Sequence, residues 1–408
     1  MNSPHDYDVV IVGGGMVGAS LAVALSSENI RIAVIEPVTP RTQEQPSYDD
    51  RGLALSISSQ RILQQLGLWD AISATANPIA HVHVSDQYHF GFVRLHAERL
   101  HVPALGHVVL ARELGQVLMG RISATKNIDF ICPAQVSDVV IHADKAEVTL
   151  LRDDTTSTIT AQLVIAADGS HSPVRKMLGI NADFKDYGQT AIVTNVTPGK
   201  PHPNTAWERF TKQGPLALLP FTENRCVAVF TVVSESAEHY MNMSDDDFLA
   251  SLQTRFGRRL GNFKKPGKRK SYPMQFIIAQ EQVRERVVIL GNAAHTLHPN
   301  GAQGFNLCLR DIAGLAEILL PAIRAGSDPG SRHLLNRYHE LRQPDQNRIT
   351  KFTDGLASMF YNDLPHKILF RNTGMLLMDT CPSLKQSFAL RAMGLYGKQP
   401  AMVRGIAP

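Results

Sequence analysis

Apolar runs and a helical pattern alternate over the first 35 residues of the chain. Residues 8–12 and 31–35 are apolar runs rich in β-branched side chains, and residues 16–27 between them carry apolar side chains at helical spacing. A strand, a helix and a second strand in this order predict a parallel βαβ unit with a right-handed crossover.

Two further apolar runs lie far downstream, at residues 162–166 and 287–290. Fully apolar runs of this length are typical of strands in a parallel sheet that is covered on both faces. The remaining segments divide by period. Helical spacing occurs at 58–66, 110–122 and 305–320, alternation at 79–110 and 136–151, several short β-like runs at 187–235, and a mostly helical pattern beyond 331.

These patterns predict an α/β fold in which a smaller, β-rich domain interrupts a discontinuous dinucleotide-binding domain. The dinucleotide-binding domain comprises residues 1–73, 104–180 and 275–335. The inserted substrate domain comprises residues 74–103 and 181–274, and a helical C-terminal region covers residues 336–408. A length of 408 residues allows two or three such units.

The charge of the chain is unevenly distributed. The net charge of +4 is too small to indicate nucleic-acid binding. Residues 365–408, however, carry six Lys or Arg side chains and one acid, Asp379. A basic segment with apolar stretches at 368–370 and 375–378 is typical of a helix on an anionic lipid surface. It is equally typical of a helix that packs on the protein and keeps a solvated cationic face.

Targeting and redox signals in the sequence indicate the cellular compartment of the protein. Residues 1–8 contain no Lys or Arg, so a secretory signal is not predicted, and no apolar stretch approaches the roughly 18 residues of a spanning helix. The four cysteines form no CxxC pair, which indicates a reducing compartment. We therefore predict a cytoplasmic protein, either free or at a membrane surface.

Three glycines follow the first predicted strand at the spacing GxGxxG. Gly13 permits the tight turn, Gly15 lets the backbone approach a pyrophosphate, and Gly18 allows close packing of the helix on the strand. The helix N-terminus offers N–H groups and a positive dipole to phosphates. Glu36 ends the second strand, where a carboxylate binds ribose hydroxyls and repels a 2′-phosphate. The pattern therefore predicts FAD or NAD rather than NADP.

Two later segments also follow predicted strands. Residues 166–175 hold Asp168 in an Asp-Gly turn before a helix start, which by itself is equally typical of an ordinary turn and N-cap. Residues 291–306 combine small residues with Pro299 and Gln303 ahead of a helix. Small residues let backbone approach a flat ring, and a helix N-terminus favours the electron-rich edge of a flavin.

In sequence order, these three segments resemble the GxGxxG, DG and GD motifs of the class A flavin-dependent aromatic hydroxylases, the para-hydroxybenzoate hydroxylase-like group. The resemblance spans residues 7–320, and residues 49–56, 208–217 and 297–307 are most similar to the ubiquinone-biosynthesis branch. It implies a Rossmann-like FAD-binding domain with the inserted β-rich substrate domain and the helical C-terminal region. It assigns the following residues to FAD binding: Gly13, Gly15, Gly18, Glu36, Arg51, Arg112, Val136, Asp168, Asn292, Gly301, Gln303, Gly304 and Asn306.

The resemblance implies an FAD-dependent monooxygenase that hydroxylates the aromatic ring of a polyprenylated phenol in ubiquinone biosynthesis. NADH or NADPH would bind transiently and reduce the flavin, and O2 would add at the flavin C4a position to give the hydroxylating hydroperoxide. The sequence has no second GxGxxG motif for a resident nicotinamide cofactor. The implied partners are the phenol, O2, the inner-membrane surface and other proteins of quinone synthesis, without nucleic acid.

The catalytic residues are not identified by the sequence. His298 and Pro299 are the candidates, with core packing as the competing role for His298. No metal site is predicted, because His81-x-His83 lacks a third ligand.

Three positions depart from the group. Asn292 stands where Asp is usual, while Ala302 and Cys308 stand where Gly is usual. Because an amide can still bond a ribityl hydroxyl, Asn292 predicts weaker FAD retention rather than its loss. It keeps open a non-catalytic or assembly subunit of a quinone-synthesis complex. The sequence also leaves open a flavoprotein that reduces isoprenoid double bonds, and a plain NAD dehydrogenase that would not explain the second and third motifs.

Overall fold

The computed structural model describes residues 5–40, 51–360 and 364–407. Asp49 and Asp50, which begin one of the segments that resemble the hydroxylases, lie outside the described residues. The strands are β1 (Tyr7–Val12), β2 (Ile32–Ile35), β3 (Gly52–Ser56), β4 (Asn77–Ile79), β5 (His81–Asp86), β6 (Phe92–His96), β7 (Gly106–Leu110), β8 (Ile128–Ile131), β9 (Gln135–Ile141), β10 (Ala146–Arg152), β11 (Thr155–Ala166), β12 (Ala182–Thr197), β13 (Thr205–Phe210), β14 (Leu216–Phe221), β15 (Arg225–Val233), β16 (Lys265–Pro266), β17 (Lys270–Ala279), β18 (Val283–Arg284), β19 (Val287–Ile289) and β20 (His295–Thr296). The helices are α1 (Met16–Leu25), α2 (Ile57–Gln65), α3 (Trp69–Ser73), α4 (Ala111–Ala124), α5 (Pro173–Met177), α6 (Ala237–Asn242), α7 (Asp245–Phe256), α8 (Gln303–Arg324), α9 (Arg332–Phe360), α10 (Pro365–Thr380) and α11 (Pro382–Ala392).

The first sheet contains the βαβ unit. Its main path runs β18-β19-β11-β1-β2-β8, and every pair from β19 to β8 is parallel. The long strand β11 pairs with β1 and β19 through its second half and with the β9–β10 hairpin through its first half. The predicted strands at 8–12, 31–35, 162–166 and 287–290 are therefore neighbours in one parallel sheet.

Apolar side chains cover both faces of this sheet, as the fully apolar strands predict. On one face Val9, Ile11 and Leu163 pack against α1, α4 and α8. On the other face Val10 and Val164 pack against the β9–β10 hairpin and the segment around α5. Because alternate residues of a strand point to opposite faces, a run that is apolar at every position is needed for both layers.

A second sheet of nine strands follows the order β20-β17-β12-β15-β14-β13-β5-β6, with β16 beside β12. Its pairs are antiparallel except β13 with β5. A small third sheet follows the order β3-β7-β4. The nine-stranded sheet takes its strands mainly from residues 81–96 and 182–279. This membership supports the proposed division of the chain into a dinucleotide-binding and a substrate domain.

The C-terminal region is helical, as the sequence pattern predicts. Helix α10 is anchored on β6 of the nine-stranded sheet, where Asp379 accepts hydrogen bonds from the backbone N–H of Arg94 at 2.9 Å and from its guanidinium at 2.8 Å. Arg371 of the basic segment is buried and donates to Asp86 at 2.7 Å. Among the residues described, no helix is long and apolar enough to span a lipid bilayer.

Candidate functional site

Four parallel strands of the first sheet end at one edge, and the predicted cofactor residues follow directly after them. The register pairs Val12 with Ile35 of β2 and with Ala166 of β11, and Ala166 in turn with Ile289 of β19. Residues 13, 36, 168 and 291 are thus brought side by side at the carboxyl ends of the strands. Ligands of open α/β sheets bind at this kind of edge. We call it the cofactor edge.

The glycines of the first motif allow contacts that any side chain would prevent. Gly13 has φ +104°, and a Cβ added there would lie 2.5 Å from the carbonyl oxygen of Ala167. A Cβ on Gly18 would lie 1.9 Å from the carbonyl oxygen of Gly13. Gly15 is the N-cap of α1 in extended conformation. The helix N-terminus is therefore held close against the strand ends, as the spacing predicts.

Glu36 is buried at the end of β2, and its carboxylate organises the glycine turn. One oxygen accepts a hydrogen bond from the N–H of Gly14 at 2.7 Å, and the other from the N–H of Val38 at 3.0 Å. A carboxylate has about four acceptor sites, so capacity for ribose hydroxyls is left. The sequence predicted the ribose role and did not predict the contact with the glycine turn.

Arg51 and Arg112 are distant in sequence and adjacent in the fold. The pairing of β3 with β7 places the carbonyl oxygen of Arg51 2.9 Å from the N–H of Ala111, the residue before Arg112. The Arg51 guanidinium stacks on the ring of Tyr272 at 4.8 Å. Arg112 is exposed in the first turn of α4. Both side chains stay predicted FAD contacts.

Val136 lies on the other side of Glu36 from the glycine turn. The N–H of Ala134, two residues before Val136, donates to the carbonyl oxygen of Glu36 at 3.0 Å. Val136 itself pairs with Leu150 of β10 and is partly buried. Its position beside the ribose-binding acid is compatible with the predicted adenine contact.

Asp168 leaves a polar atom for a ligand. Its Oδ2 accepts from the N–H of Val174 at 3.0 Å, whereas its Oδ1 is buried without a hydrogen-bond partner. Burial raises the pKa of this carboxyl, although Ser172 and the Val174 N–H oppose the shift. A buried acceptor of this kind favours a ligand hydroxyl, such as one of the ribityl chain.

Arg175 joins the second and third motifs. This buried side chain donates to the carbonyl oxygen of Ala293 at 2.6 Å and to that of Ser170 at 3.0 Å. Thr296 adds a hydroxyl contact to Ser170 at 2.9 Å. The Arg of the second motif therefore has a structural role that sequence reasoning did not assign.

The third motif packs on α1 at its first residue and exposes position 292. Gly291 has φ +67°, and a Cβ there would lie 2.9 Å from a methyl group of Val17. Asn292 is exposed, and its carbonyl oxygen accepts from the hydroxyl of Thr296 at 3.0 Å. Asn292 thus lies at the cofactor edge, where the resemblance requires a ribityl contact.

Two successive residues with positive φ form the turn into α8. Gly301 has φ +65° and Ala302 has φ +51°, so the departure from glycine at 302 keeps the left-handed backbone. A Cβ on Gly301 or Gly304 would meet no atom within 4 Å. Gln303 donates to the carbonyl oxygen of Gly301 at 2.9 Å, and its Oε1 is buried without a partner.

Asn306 uses its side chain within the protein. Its Oδ1 accepts from the N–H of Ser56 at 2.8 Å and the hydroxyl of Ser59 at 2.6 Å. Its Nδ2 donates to the carbonyl oxygens of Ala54 and Ala302 at 2.8 and 2.7 Å. The amide therefore positions the third motif against β3 and α2. A contact between Asn306 and the flavin would have to use atoms other than those of the amide.

His298 is buried beside Pro299, and its contacts favour packing. Its ring meets that of Tyr187 edge-on at 4.7 Å, and its Nδ1 accepts from the N–H of Asn300 at 3.3 Å. Burial lowers the pKa of His298 to about 4. A ring held neutral in this way is a weak proton acceptor, which makes the competing role in core packing the better supported one.

A buried ionic network fixes α8 and α9 under the third motif. Asp311 accepts from His295 at 2.6 Å and from Arg342 at 2.7 Å. Arg342 and Arg310 both donate to Asp345, at 2.7 and 2.8 Å. Burial opposes ionisation, yet Arg342 and His295 hold the pKa of Asp311 below its usual value. The sequence pattern predicted α8 but not this network.

An apolar cavity of about 650 Å³ extends from the third motif under the nine-stranded sheet. Pro299, Asn300 and Gln303 line one part of it. Its walls come from β3, β5, β6, β13, β14 and β15 and from α9, α10 and α11. Phe370 of α10 lines the cavity and is 72% exposed, so the cavity reaches the surface at this helix.

The residues at the cofactor edge fit FAD. The unpartnered Oδ1 of Asp168 matches a ribityl hydroxyl, and the spare acceptor capacity of Glu36 matches the adenosine ribose. The backbone at Gly301 and Gly304 has room beside it for a flat ring. These residues would hold the cofactor next to the apolar cavity.

Two polar groups of the cavity had no individual role in the sequence reasoning, which gave Glu208 none and included Asn300 only in the run from Pro299 to Asn306 that the resemblance places along the flavin ring. Asn300 is 2% exposed, and both polar atoms of its amide are buried without a partner. Glu208 is a carboxylate on the cavity wall. The available signal for Glu208 was an acid between Ala206 and Phe210 in an alternating strand, where the other inward residues are apolar.

Comparisons with known proteins agree with an FAD-binding fold. A model of the FAD binding domain family matches residues 6–353. The chain is 35% identical over 402 residues to ubiquinone hydroxylase UbiL of Rhodospirillum rubrum, covering 98% of this chain and 93% of that protein. It is 30% identical to 3-demethoxyubiquinol 3-hydroxylase of Escherichia coli, covering 95% and 98%. The crystal structure of p-nitrophenol 4-monooxygenase PnpA from Pseudomonas putida has the same fold, with a TM-score of 0.79 at 19% identity over 96% of this chain and 99% of that one.

Proposed function

The chain belongs to the FAD binding domain family and is an FAD-dependent monooxygenase, and we propose that its substrate is the aromatic ring of a polyprenylated phenol in ubiquinone biosynthesis. The predictions of an α/β FAD-binding fold, of the hydroxylase family and of FAD as cofactor are confirmed. The relatives named as ubiquinone hydroxylases support the substrate class.

The observation that carries the proposal is the shape and lining of the cavity. It starts at the third motif, where the flavin ring would lie, and ends at the exposed Phe370. Its lining is dominated by Leu, Val, Ala, Met and Phe side chains. A phenol ring placed at the cofactor end leaves the apolar length of the cavity for a prenyl tail, whose burial is favoured by the hydrophobic effect.

Bound FAD would supply the activated oxygen after reduction by NADH or NADPH. The residues of the protein supply two further conditions for hydroxylation, a fixed position for the flavin and a site without water. The cofactor edge positions the flavin, and the apolar walls exclude water from the reacting ring. The two nicotinamide cofactors are to be compared directly in the assay.

The test is hydroxylation by the purified protein reconstituted with FAD. The first substrate is 2-octaprenyl-6-methoxyphenol, because the segments at 208–217 and 297–307 resemble those of its hydroxylase. We expect NAD(P)H oxidation that depends on the phenol, and a product with one oxygen atom derived from ¹⁸O2. The same phenol without its tail is the control and should bind far more weakly.

Different products of this assay would indicate different functions. Hydrogenation of the tail without added oxygen would indicate an isoprenoid-reducing flavoprotein. Retained flavin without any phenol-dependent reaction would contradict the hydroxylase and favour a non-catalytic or assembly subunit. The position of the new hydroxyl, read by NMR of the product, identifies the step of the pathway.

We also propose that α10 rests on an anionic membrane, where the substrate tail is dissolved. Leu369 and Leu377 of this helix are 61% and 56% exposed, next to Phe370 at the cavity mouth. Lys367 and Arg391 are exposed nearby in the sequence. Exposed apolar side chains with flanking cations are typical of interfacial helices.

Vesicle sedimentation tests this contact. The protein should bind phosphatidylglycerol vesicles more strongly than phosphatidylcholine vesicles. The double variant Leu369→Ser and Leu377→Ser should lose most of this binding, and Leu151→Ser, an exposed residue of β10, should not. Equal binding of all three proteins would contradict the proposed orientation.

A further inference from the structure

Glu208 is the only acidic side chain on the described lining of the cavity. Strand β13 presents Ala206, Glu208 and Phe210 to the cavity. The register places Val84 of β5 on one side of Glu208 and Ala217 of β14 on the other, and both also line the cavity. The pairing of these strands therefore gives no structural role to a carboxylate at this position.

The carboxylate has no partner in the part of the chain that the structure describes. No hydrogen bond or ion pair joins it to another described residue. Glu208 is half-buried in the cavity wall, where a charge is normally paired because desolvation of an ion is costly. Burial raises the pKa of Glu208 to about 7.

The other ionisable groups around the cavity are engaged elsewhere. Arg371 donates to Asp86 at 2.7 Å, and Arg51 stacks on Tyr272 at 4.8 Å. Apart from Glu208, the ionisable side chains on the described cavity lining are Arg371, Arg51 and Tyr272.

The strands beside Glu208 carry charged groups with partners of their own. On β5, His83 contacts Arg259 at 2.9 Å, His81 contacts His96 of β6 at 3.1 Å, and Asp86 binds Arg371. On β6, Arg94 binds Asp379. On β13 itself, Arg209 reaches Ser85 at 3.5 Å. Strand β14 has no ionisable side chain.

We propose that Glu208 accepts the phenol proton as the ring is hydroxylated, an inference that rests on the proposed function. While the ring carbon donates an electron pair to form the new C–O bond, the O–O bond of the activated oxygen that bound FAD would supply breaks, and so does the phenol O–H bond. The electron pair of the O–H bond forms the C=O of the first product, and the proton moves to a Glu208 carboxylate oxygen. The hydroxylated carbon then loses its hydrogen as a proton to the oxygen atom released by the O–O cleavage, and Glu208 returns its proton to the ring oxygen, which restores the aromatic phenol. O2 is the oxidant, NAD(P)H the reductant, and the second oxygen atom leaves as water.

This assignment supplies the acceptor that the sequence left open. Removal of the phenol proton makes the ring a better nucleophile, and a base is most effective when its pKa lies near the working pH. His298 is the weaker candidate for this proton acceptor. Burial lowers its pKa to about 4, and its Nδ1 already accepts a hydrogen bond.

The first experiment measures binding without turnover. The affinity of the FAD-loaded protein for the prenylated phenol is compared with that for its methyl ether, over a pH range that brackets 7, without NAD(P)H. The phenol donates a hydrogen bond to the carboxylate and the ether cannot. The affinity ratio of phenol to ether should therefore rise about tenfold as the pH passes upward through the pKa of Glu208. In Glu208→Gln this rise should vanish.

The second experiment measures hydroxylation. Glu208→Gln should lower the rate of product formation by about 10²–10⁴-fold, the range for loss of a general base, with H2O2 released instead. Glu208→Asp should recover part of the rate and the pH profile. The control Glu223→Gln, whose side chain is 79% exposed on a turn, should match the wild type.

The outcomes separate the two proposals. A wild-type protein that does not hydroxylate any prenylated phenol overturns the proposed function. A wild-type protein that hydroxylates while Glu208→Gln retains the same rate and pH profile overturns the role of Glu208 alone. If the variant does not fold, the wild-type affinity ratio still decides, because a ratio that does not change with pH contradicts the assignment.

Discussion

The cofactor edge and the cavity wall present opposite kinds of surface to their ligands. At the cofactor edge, backbone does the recognition: Gly13 and Gly18 bring a helix N-terminus against the strand ends, and Glu36 holds the turn through the N–H of Gly14. On the cavity wall, the backbone N–H and C=O groups bond neighbouring strands, so side chains form the surface. Glu208 is the acidic group among them. The difference suggests that substitutions at the edge act through geometry and those at the wall through chemistry.

The largest loss of stability is expected from a substitution at Asp311, where the cofactor edge is joined to the helices beside the cavity. Asp311 is fully buried and links His295 of the third motif to Arg342 of α9. Asp311→Ala leaves Arg342 with an incompletely compensated charge, so the free energy of unfolding should fall by about 3–5 kcal/mol. Denaturant titration followed by both flavin fluorescence and circular dichroism measures this loss.

The exposed acid Asp153 is the matched control for that substitution. Its contact with Arg152 is 4.0 Å long, its side chain is 87% exposed and its φ of +46° is one that Asn also adopts, so Asp153→Asn should change stability by less than about 1 kcal/mol. Separate unfolding transitions for the two probes in the wild type would show that the cofactor edge and the cavity wall are not stabilised together, contrary to the role given to this network.

The next effect is a pH dependence at His298, which lies between the two regions. Burial lowers its pKa from 6.5 to about 4, so an unfolded chain binds this proton more readily than the folded one. The contribution of His298 is complete above pH 6.5 and is lost as the pH falls toward 4, in total about 3 kcal/mol. The wild type should therefore lose more stability than His298→Gln over this interval. Parallel curves for the two proteins would contradict the neutral, packed histidine.

A smaller effect separates the glycines of the cofactor edge. Gly18→Ala places a Cβ 1.9 Å from a carbonyl oxygen and should cost about 1–3 kcal/mol of stability, with loss of bound FAD. Gly304→Ala meets no protein atom within 4 Å and should keep or raise the stability of the apoprotein by up to about 1 kcal/mol. Retained flavin absorbance and thermal melting distinguish the two outcomes.

Gly120→Ala in α4 is the control for Gly304→Ala, because it too has no atom within 4 Å of the added Cβ and lies away from the cofactor edge. If Gly304 adjoins the flavin, only Gly304→Ala should weaken FAD binding. Equal FAD affinity in both variants would remove Gly304 from the cofactor site.

The smallest expected effect concerns Asn300, a buried amide of the third motif that lines the cavity. Both polar atoms of its buried amide lack partners, which costs stability in the ligand-free protein. Asn300→Leu should therefore raise the free energy of unfolding of the apoprotein by about 1 kcal/mol and lower the affinity for FAD or phenol. Calorimetric titration of each ligand shows which one the amide serves. A variant less stable than the wild type, with unchanged affinities, would contradict a ligand-binding amide.

Much of the cofactor edge could be predicted because its requirements are local. The short apolar runs before Gly13, Asp168 and Gly291 predicted parallel strands, and these are adjacent in the sheet. The short β-like runs at 187–235 predicted a separate β-rich unit, and the nine-stranded sheet contains their strands, whereas the alternating segment at 136–151 forms the β9–β10 hairpin of the first sheet. The role of Asn306 could not be predicted, because three of the four partners of its amide lie about 250 residues earlier in the chain.

The sequence by itself determined the cofactor class, since glycine spacing, strand length and a terminal acid act on backbone conformation within a few residues. Only the tertiary structure decided which side chains face the substrate. Glu208 acquires a raised pKa, and Asn300 an unsatisfied amide, from neighbours on other strands and helices. Desolvation and partner loss depend on packing between segments remote in sequence, and no local pattern encodes them.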